Sequence, residues 1–226
     1  MDDGVLLHDH AGGNPRGQIP YAEAEGTEEG HQDHDRDRNG GDLRLHDRRR
    51  RTAVLSMTTP EMLAALESMV VLVDTREQDN RALRQRIRQI GSPCERAKLD
   101  AGDYSAKFMV NGEWLTIPVA IERKMSLDEL AGNFCRGRAR FKREFDRAKD
   151  AGVKMYLLVE GGEWLKLYRH AYNSKMSERS FIGSILAWLA RYDCQILFCD
   201  RMVTGYLIRD VLYREGKELL ERMVDE

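Results

Sequence analysis

Cysteine is scarce in this chain, and its spacing is irregular. Cys94, Cys135, Cys194 and Cys199 include no Cys-x-x-Cys pair. That excludes the closely paired ligands of a structural zinc site and argues against the disulfide framework of a small secreted protein. Long apolar runs are also missing: none approaches the ~20 residues needed to cross a bilayer. The N-terminus lacks the basic-then-apolar pattern of a secretion signal. The expectation is a soluble, cytoplasmic protein with idle thiols, no membrane partner and no small-molecule cofactor.

A strong charge of one sign is lacking too, since the formal net charge is -2. The charge is nonetheless divided unevenly. Residues 1–56 carry 8 Arg/Lys against 12 Asp/Glu, whereas the remainder carries 28 against 26. The first stretch also holds 8 of the 19 glycines and 5 of the 6 histidines, with almost no periodic apolar residues. Such a segment cannot bury enough apolar area to offset its ordering entropy, so residues 1–56 are expected to be a disordered extension. Met57 as the natural start is the alternative. Residues 57–226 read as one domain with apolar residues enough for a real core.

Within that domain Val70–Val73 is a β-branched run ending at Asp74, the pattern of a buried strand. Leu83, Ile87 and Ile90 share a stripe of a helix over Arg81–Ile90. Further strands are predicted at Glu95–Leu99, Asp103–Val110, Trp114–Lys124, Val153–Val159 and Gln195–Cys199. Pro118 marks a bulge or an edge. Thr59 is the expected cap of a short first helix with Pro60 at its first position. Ser126 to Glu129 reads as a capping box opening one long helix to about Asp150. Later helices are predicted over Ser180–Tyr192 and Val203–Met223. Alternating strands and helices make an α/β layer fold.

The chemistry is carried by Ile121-Glu122-Arg123-Lys124 with Gly102-Asp103-Tyr104 upstream. Side chains alternate faces along a strand, so Glu122 and Lys124 project together. Two carboxylates and an ammonium suit metal-assisted phosphodiester hydrolysis: Asp103 and Glu122 as cation ligands, Lys124 orienting or deprotonating the attacking water. Carboxylates held ~4 Å apart repel by about 4 kcal/mol at an effective dielectric of 20. Their meeting therefore implies a shared proton or a cation. Hard oxygen ligands without nearby Cys or His favour Mg²⁺, with Mn²⁺ as a substitute. Beside such a cation Lys124 is expected to have a lowered pKa. The bland alternative is a solvated edge strand guarded by charges. Against it, Val119-Ala120-Ile121 shows no polar alternation, which places the charges at the end of a buried strand. Arg136, Arg138, Arg140, Lys142 and Arg143 are the densest basic cluster of the body, with Phe134, Phe141 and Phe145 turned to the core. Phosphate contact is expected of Arg136, Arg138, Arg140 and Lys142, and of Arg76. Glu160 ends a buried strand as Asp74 does, and is a supporting acidic group or a structural one.

Val71-Leu72-Val73-Asp74-Thr75-Arg76-Glu77, Gly102-Asp103-Tyr104, Glu122-Arg123-Lys124 with Asp128, and Gly137-Arg138 occur in that order. Together they resemble the nuclease domain of the XPF-type structure-specific endonucleases, over about residues 70–200. The resemblance implies a restriction-endonuclease-like core, a central mixed β-sheet flanked by helices. It implies a catalytic set of Asp103, Glu122, Arg123, Lys124 and Asp128, with Asp74 as a further metal position and Glu77 as a supporting acid. It also implies a Mg²⁺-dependent DNA endonuclease for branched, flapped or forked DNA in repair or recombination, with a homodimer or a protein partner. The helix-hairpin-helix module of related repair nucleases has no counterpart here. Alternatives are a catalytically silent DNA-binding scaffold subunit and a junction- or RNA-directed nuclease of the same fold.

Overall fold

The structure is a computed structural model and describes residues 57–224. The expectations for residues 1–56 lie outside the described residues. Seven strands form one mixed sheet: β1 (Val70–Asp74), β2 (Cys94–Ala97), β3 (Tyr104–Val110), β4 (Glu113–Thr116), β5 (Val119–Lys124), β6 (Lys154–Glu160) and β7 (Gln195–Cys199). The order is β2-β1-β3-β5-β6-β7, with β4 a short branch on β3. β1 pairs antiparallel with β3 and parallel with β2; β5, β6 and β7 are mutually parallel. The mixed sheet between helices is the architecture the sequence implied.

Helices cover both faces because the strands are apolar on both. One side carries α1 (Thr59–Glu67), α2 (Arg81–Ile90) and α7 (Thr204–Glu221) over a core containing Val71, Val73, Tyr104, Phe108 and Ile121. Gly205 lets α7 approach α2: a Cβ there would lie 2.4 Å from the Arg86 carbonyl oxygen. The other side carries α3 (Leu127–Phe134), α4 (Arg138–Asp150), the short α5 (Trp164–Tyr168) and α6 (Glu178–Tyr192). There Phe134, Phe141, Phe145, Phe181 and Trp188 make edge and stacked contacts over Leu157 and Val159. No helix among the described residues is long and apolar enough to cross a membrane.

Three local expectations are corrected. The first helix starts at Thr59, with Thr58 as its cap and Pro60 at the second position; the Thr58 amide donates to Glu61 Oε2 at 2.7 Å. The helix predicted from Ser126 to Asp150 is two helices, broken at Cys135-Arg136-Gly137, where the Gly137 amide turns back to the Gly132 carbonyl at 3.0 Å. The strand predicted over Trp114–Lys124 is likewise two: Pro118 has no N–H to donate, and the ladder stops at Ile117-Pro118. Of the predicted capping box the Ser126 half is present, because Ser126 Oγ accepts from the Glu129 amide at 3.2 Å; the return bond goes to the residue before the cap. Glu129 in turn accepts from the Met125 amide at 2.8 Å.

Candidate active site

The end of β5 sets the site. Glu122 and Lys124 point to the α4 side and are ion-paired, both almost fully buried. Arg123 points to the opposite side, as alternation requires. There it meets buried Glu160 of β6 at 3.2 Å.

Asp103 arrives from the loop before β3. Its amide donates to the Ile121 carbonyl at 2.8 Å and its carbonyl accepts from the Asp74 amide at 2.8 Å. It is thereby sewn between the ends of β1 and β5. The preceding Gly102 has φ of 72°, and a Cβ there would sit 3.0 Å from Ala120 Cβ and 3.1 Å from the Ile121 carbonyl oxygen. Only glycine tolerates both the left-handed backbone and that approach, which is the physical content of the Gly-Asp pair.

These groups face a cleft of about 300 Å³. Asp103, Glu122 and Lys124 lie on one side of it, and Arg140, Arg143, Glu144 and Arg147 of α4 on the other. Arg76 and the buried Asn133 complete the lining.

Two features of the cleft bear on ion binding. Burial pushes the Asp103 carboxyl above the ordinary carboxylate range; the Arg123 amide, donating to Oδ2 at 2.8 Å, works against this, and the charges of Glu77 and Glu144 add to it. Burial also raises Glu122, reinforced by the charge of Asp103 and opposed by Lys124. The second feature is the Oδ1 of Asn133, buried and without a partner. Two carboxylates that resist ionising together, beside an unsatisfied amide oxygen, fit a hydrated divalent cation with oxygen ligands. Among the described residues no group of three or more His, Cys, Asp or Glu converges as a complete metal cage. The carboxylates that line the cleft are Asp103, Glu122 and Glu144.

In the metal-free cleft the Lys124 ammonium is held by its acidic neighbours. Burial alone would lower its pKa, but the charge and hydrogen bond of Glu122, aided by Asp103, raise it instead. Its ammonium also lies 5.2 Å from the Phe141 ring centroid.

Other sequence-predicted residues fall elsewhere. Asp74 is completely buried, and its carboxylate is used by the Arg76 guanidinium at 2.7 Å and the Leu99 amide at 2.8 Å. It holds Arg76 at the cleft and has no free edge for a cation. Glu77 accepts from Arg86 at 2.6 Å and from the Tyr104 hydroxyl at 3.2 Å. Asp128 faces away from the cleft and accepts from the Asn173 and Ser174 amides, both at 2.7 Å. It clamps a loop. Arg138 lies 5.7 Å from the Trp188 ring centroid, Lys142 pairs with Asp146 at 2.7 Å, and Arg136 lines a neighbouring depression.

Residues not foreseen in the cleft are Asn133, Glu144 and Arg147. The last two were legible as a face: positions 140, 144 and 147 follow the i, i+4, i+7 spacing beside the apolar stripe of Phe141, Phe145 and Ala148. Asn133 carried no signal of its own.

Half-buried Asp103 and the buried Glu122–Lys124 pair thus meet at a strand end under an arginine-bearing helix. The family model described as ERCC4 domain matches residues 73–203. The chain therefore belongs to the ERCC4 domain family. No curated protein matches the sequence. Among solved structures it is similar to XPF from Aeropyrum pernix, at 21% identity and a TM-score of 0.47, covering 63% of this chain and 59% of that one. It is also similar to XPF from Aeropyrum pernix in complex with DNA, at 21% identity, a TM-score of 0.47 and 66% coverage of each chain. The matched part thus spans less than two thirds of either solved chain.

Proposed function

We propose that the protein is a divalent-cation-dependent DNA endonuclease whose substrates are branched, flapped or forked DNAs. The observation that carries this reading is the meeting of Asp103, Glu122 and Lys124 in one cleft. Asp103 and Glu122 would hold the cation, Mg²⁺ with Mn²⁺ as a substitute, which when bound supplies charge to polarise the phosphodiester. Lys124, kept protonated by Glu122, orients the attacking water or steadies negative charge developing on phosphate oxygens. Arg140, Arg143 and Arg147 bring three positive charges to the facing wall, where they neutralise backbone phosphates. Asn133 Oδ1 is an acceptor available to an ordered water beside the carboxylates.

The test is a panel of flap, fork and blunt duplex DNAs incubated with Mg²⁺. Wild-type protein should nick the branched members. Asp103→Ala and Lys124→Ala should lower the rate by roughly a hundredfold or more, the scale of losing one transition-state charge partner, while DNA affinity stays near wild type. Binding without cleavage under Mg²⁺ and Mn²⁺ alike would favour the silent scaffold instead.

A further inference from the structure

Helices cover the two faces of the sheet unequally. On the Glu122 side, α3, α4 and α6 pack over β5 and β6, whereas Leu72 of β1 and Ser105 of β3 line an open groove of about 500 Å³. Its walls include the small side chains of Ala97, Ala101, Ala120 and Ala148. The groove is not isolated: Arg147 lines both it and the catalytic cleft.

At the outer wall stands Trp114 of β4, 48% exposed. The Lys107 ammonium lies 4.6 Å from its ring centroid, held there by Glu95 at 2.6 Å. Lys98, Lys107 and Arg147 outweigh Glu95 and Asp100 along the groove. A half-exposed indole on an edge hairpin contributes nothing to either core. Beside a row of cations it has the composition of a single-strand track, in which phosphates meet lysine or arginine and bases stack on an aromatic ring.

We propose that this groove seats an unpaired stretch of the DNA substrate as it enters the cleft, with one base against Trp114 and phosphates on Lys98 and Arg147. The inference rests on the nuclease reading and names the part of the substrate that the site recognises. Bases within a duplex are already stacked and cannot cover the indole. Trp114 therefore distinguishes a substrate with a single-stranded arm from a blunt one. The stacking is indifferent to base identity, because every base has a π-face.

Intrinsic fluorescence provides a test independent of cleavage. The chain has three tryptophans; Trp188 is fully buried and Trp164 is half-buried, so exposed Trp114 dominates quenching by added DNA. The full chain is titrated in EDTA with a duplex bearing a single-stranded arm, and separately with a blunt duplex of equal length. The armed duplex should quench and the blunt one should not, and Trp114→Phe should remove the quench. Trp114→Ala should weaken binding of the armed duplex about tenfold, as loss of one base stack implies, and leave blunt-duplex affinity within about twofold. Lys98→Ala, a change at an exposed side chain, should shallow the salt dependence for the armed duplex alone. Equal quenching by both DNAs, or unchanged armed-duplex affinity in Trp114→Ala and Lys98→Ala while wild type still binds, overturns the groove assignment and leaves the nuclease reading standing. Failure of the wild-type protein to bind either DNA defeats both.

Discussion

Asp103 bears an energetic load that its hydrogen bonds do not remove. A carboxyl whose folded pKa lies above its unfolded value keeps a proton that the unfolded chain has released, so the unfolded state binds fewer protons. Stability is then lost as pH rises from the ordinary carboxylate range through the raised folded value. Asp103→Asn should therefore raise the melting temperature of the metal-free protein at neutral pH, and the gain should vanish near pH 4. Each kcal/mol corresponds to roughly 2–4 °C in a domain of this size, so a shift of a few degrees is the expected scale. A melting temperature that falls on substitution, or a gain that does not depend on pH, would contradict the buried-carboxyl account. Glu122→Gln is a different case: it also removes the partner of buried Lys124, and an unpaired buried ammonium is costly. Glu122→Gln should therefore gain less than Asp103→Asn, and a larger gain would show that the Lys124 pair contributes nothing.

The elements show where the sequence was legible and where it was not. Each of the seven strands overlaps one of the six stretches predicted as strands, with Pro118 dividing one of those stretches into β4 and β5. The Glu-x-Lys spacing placed both charges on one face without any tertiary knowledge. The break at Cys135-Arg136-Gly137 carries a signal in Gly132, Asn133 and Gly137, all poor helix formers, but the charged and apolar pattern resumes on both sides of it and masks the stop. That break moves Arg136 off the helix and leaves Arg140, Arg143 and Arg147 as the face over the cleft. Asp128 was misplaced for a related reason: its role is set by a loop 45 residues away in sequence. Asp128→Ala should cost about 1–3 kcal/mol, the range for hydrogen bonds to a charged group. The loss should appear in denaturant melts and as faster amide exchange at Asn173 and Ser174. Unchanged protection of those two amides would rule out the clamp. At the α2–α7 contact, Gly205→Ala should destabilise by about 1–3 kcal/mol, since overpacking forces the backbone apart. A neutral effect in the same melts would mean that the helices separate without cost.

At the scale of the molecule, one sheet serves two purposes. Its α1, α2 and α7 side is closed by a continuous apolar core, and the buried Glu77–Arg86–Tyr104 cluster ties β3 to α2. Its other side is closed over β5, β6 and part of β7, which leaves the cleft and the groove beside it open. The switch between parallel and antiparallel neighbours at β5 brings Asp103, at the start of β3, against the end of β5. Distant residues thus reach one place through topology alone. Individual propensities could not have revealed this, whereas the ordered motifs did.

The central claim is that Asp103 and Glu122 together form a cation site, and calorimetry of Mn²⁺ binding in two buffers of different ionisation heat addresses it directly. The account predicts binding accompanied by proton release at neutral pH, because the Glu122 carboxyl, raised to about 8 by burial and the charge of Asp103, must ionise to act as a ligand. It further predicts that Asp103→Asn and Glu122→Gln each weaken binding severely. No uptake of Mn²⁺ by the wild-type protein, or binding that survives both substitutions, would contradict it.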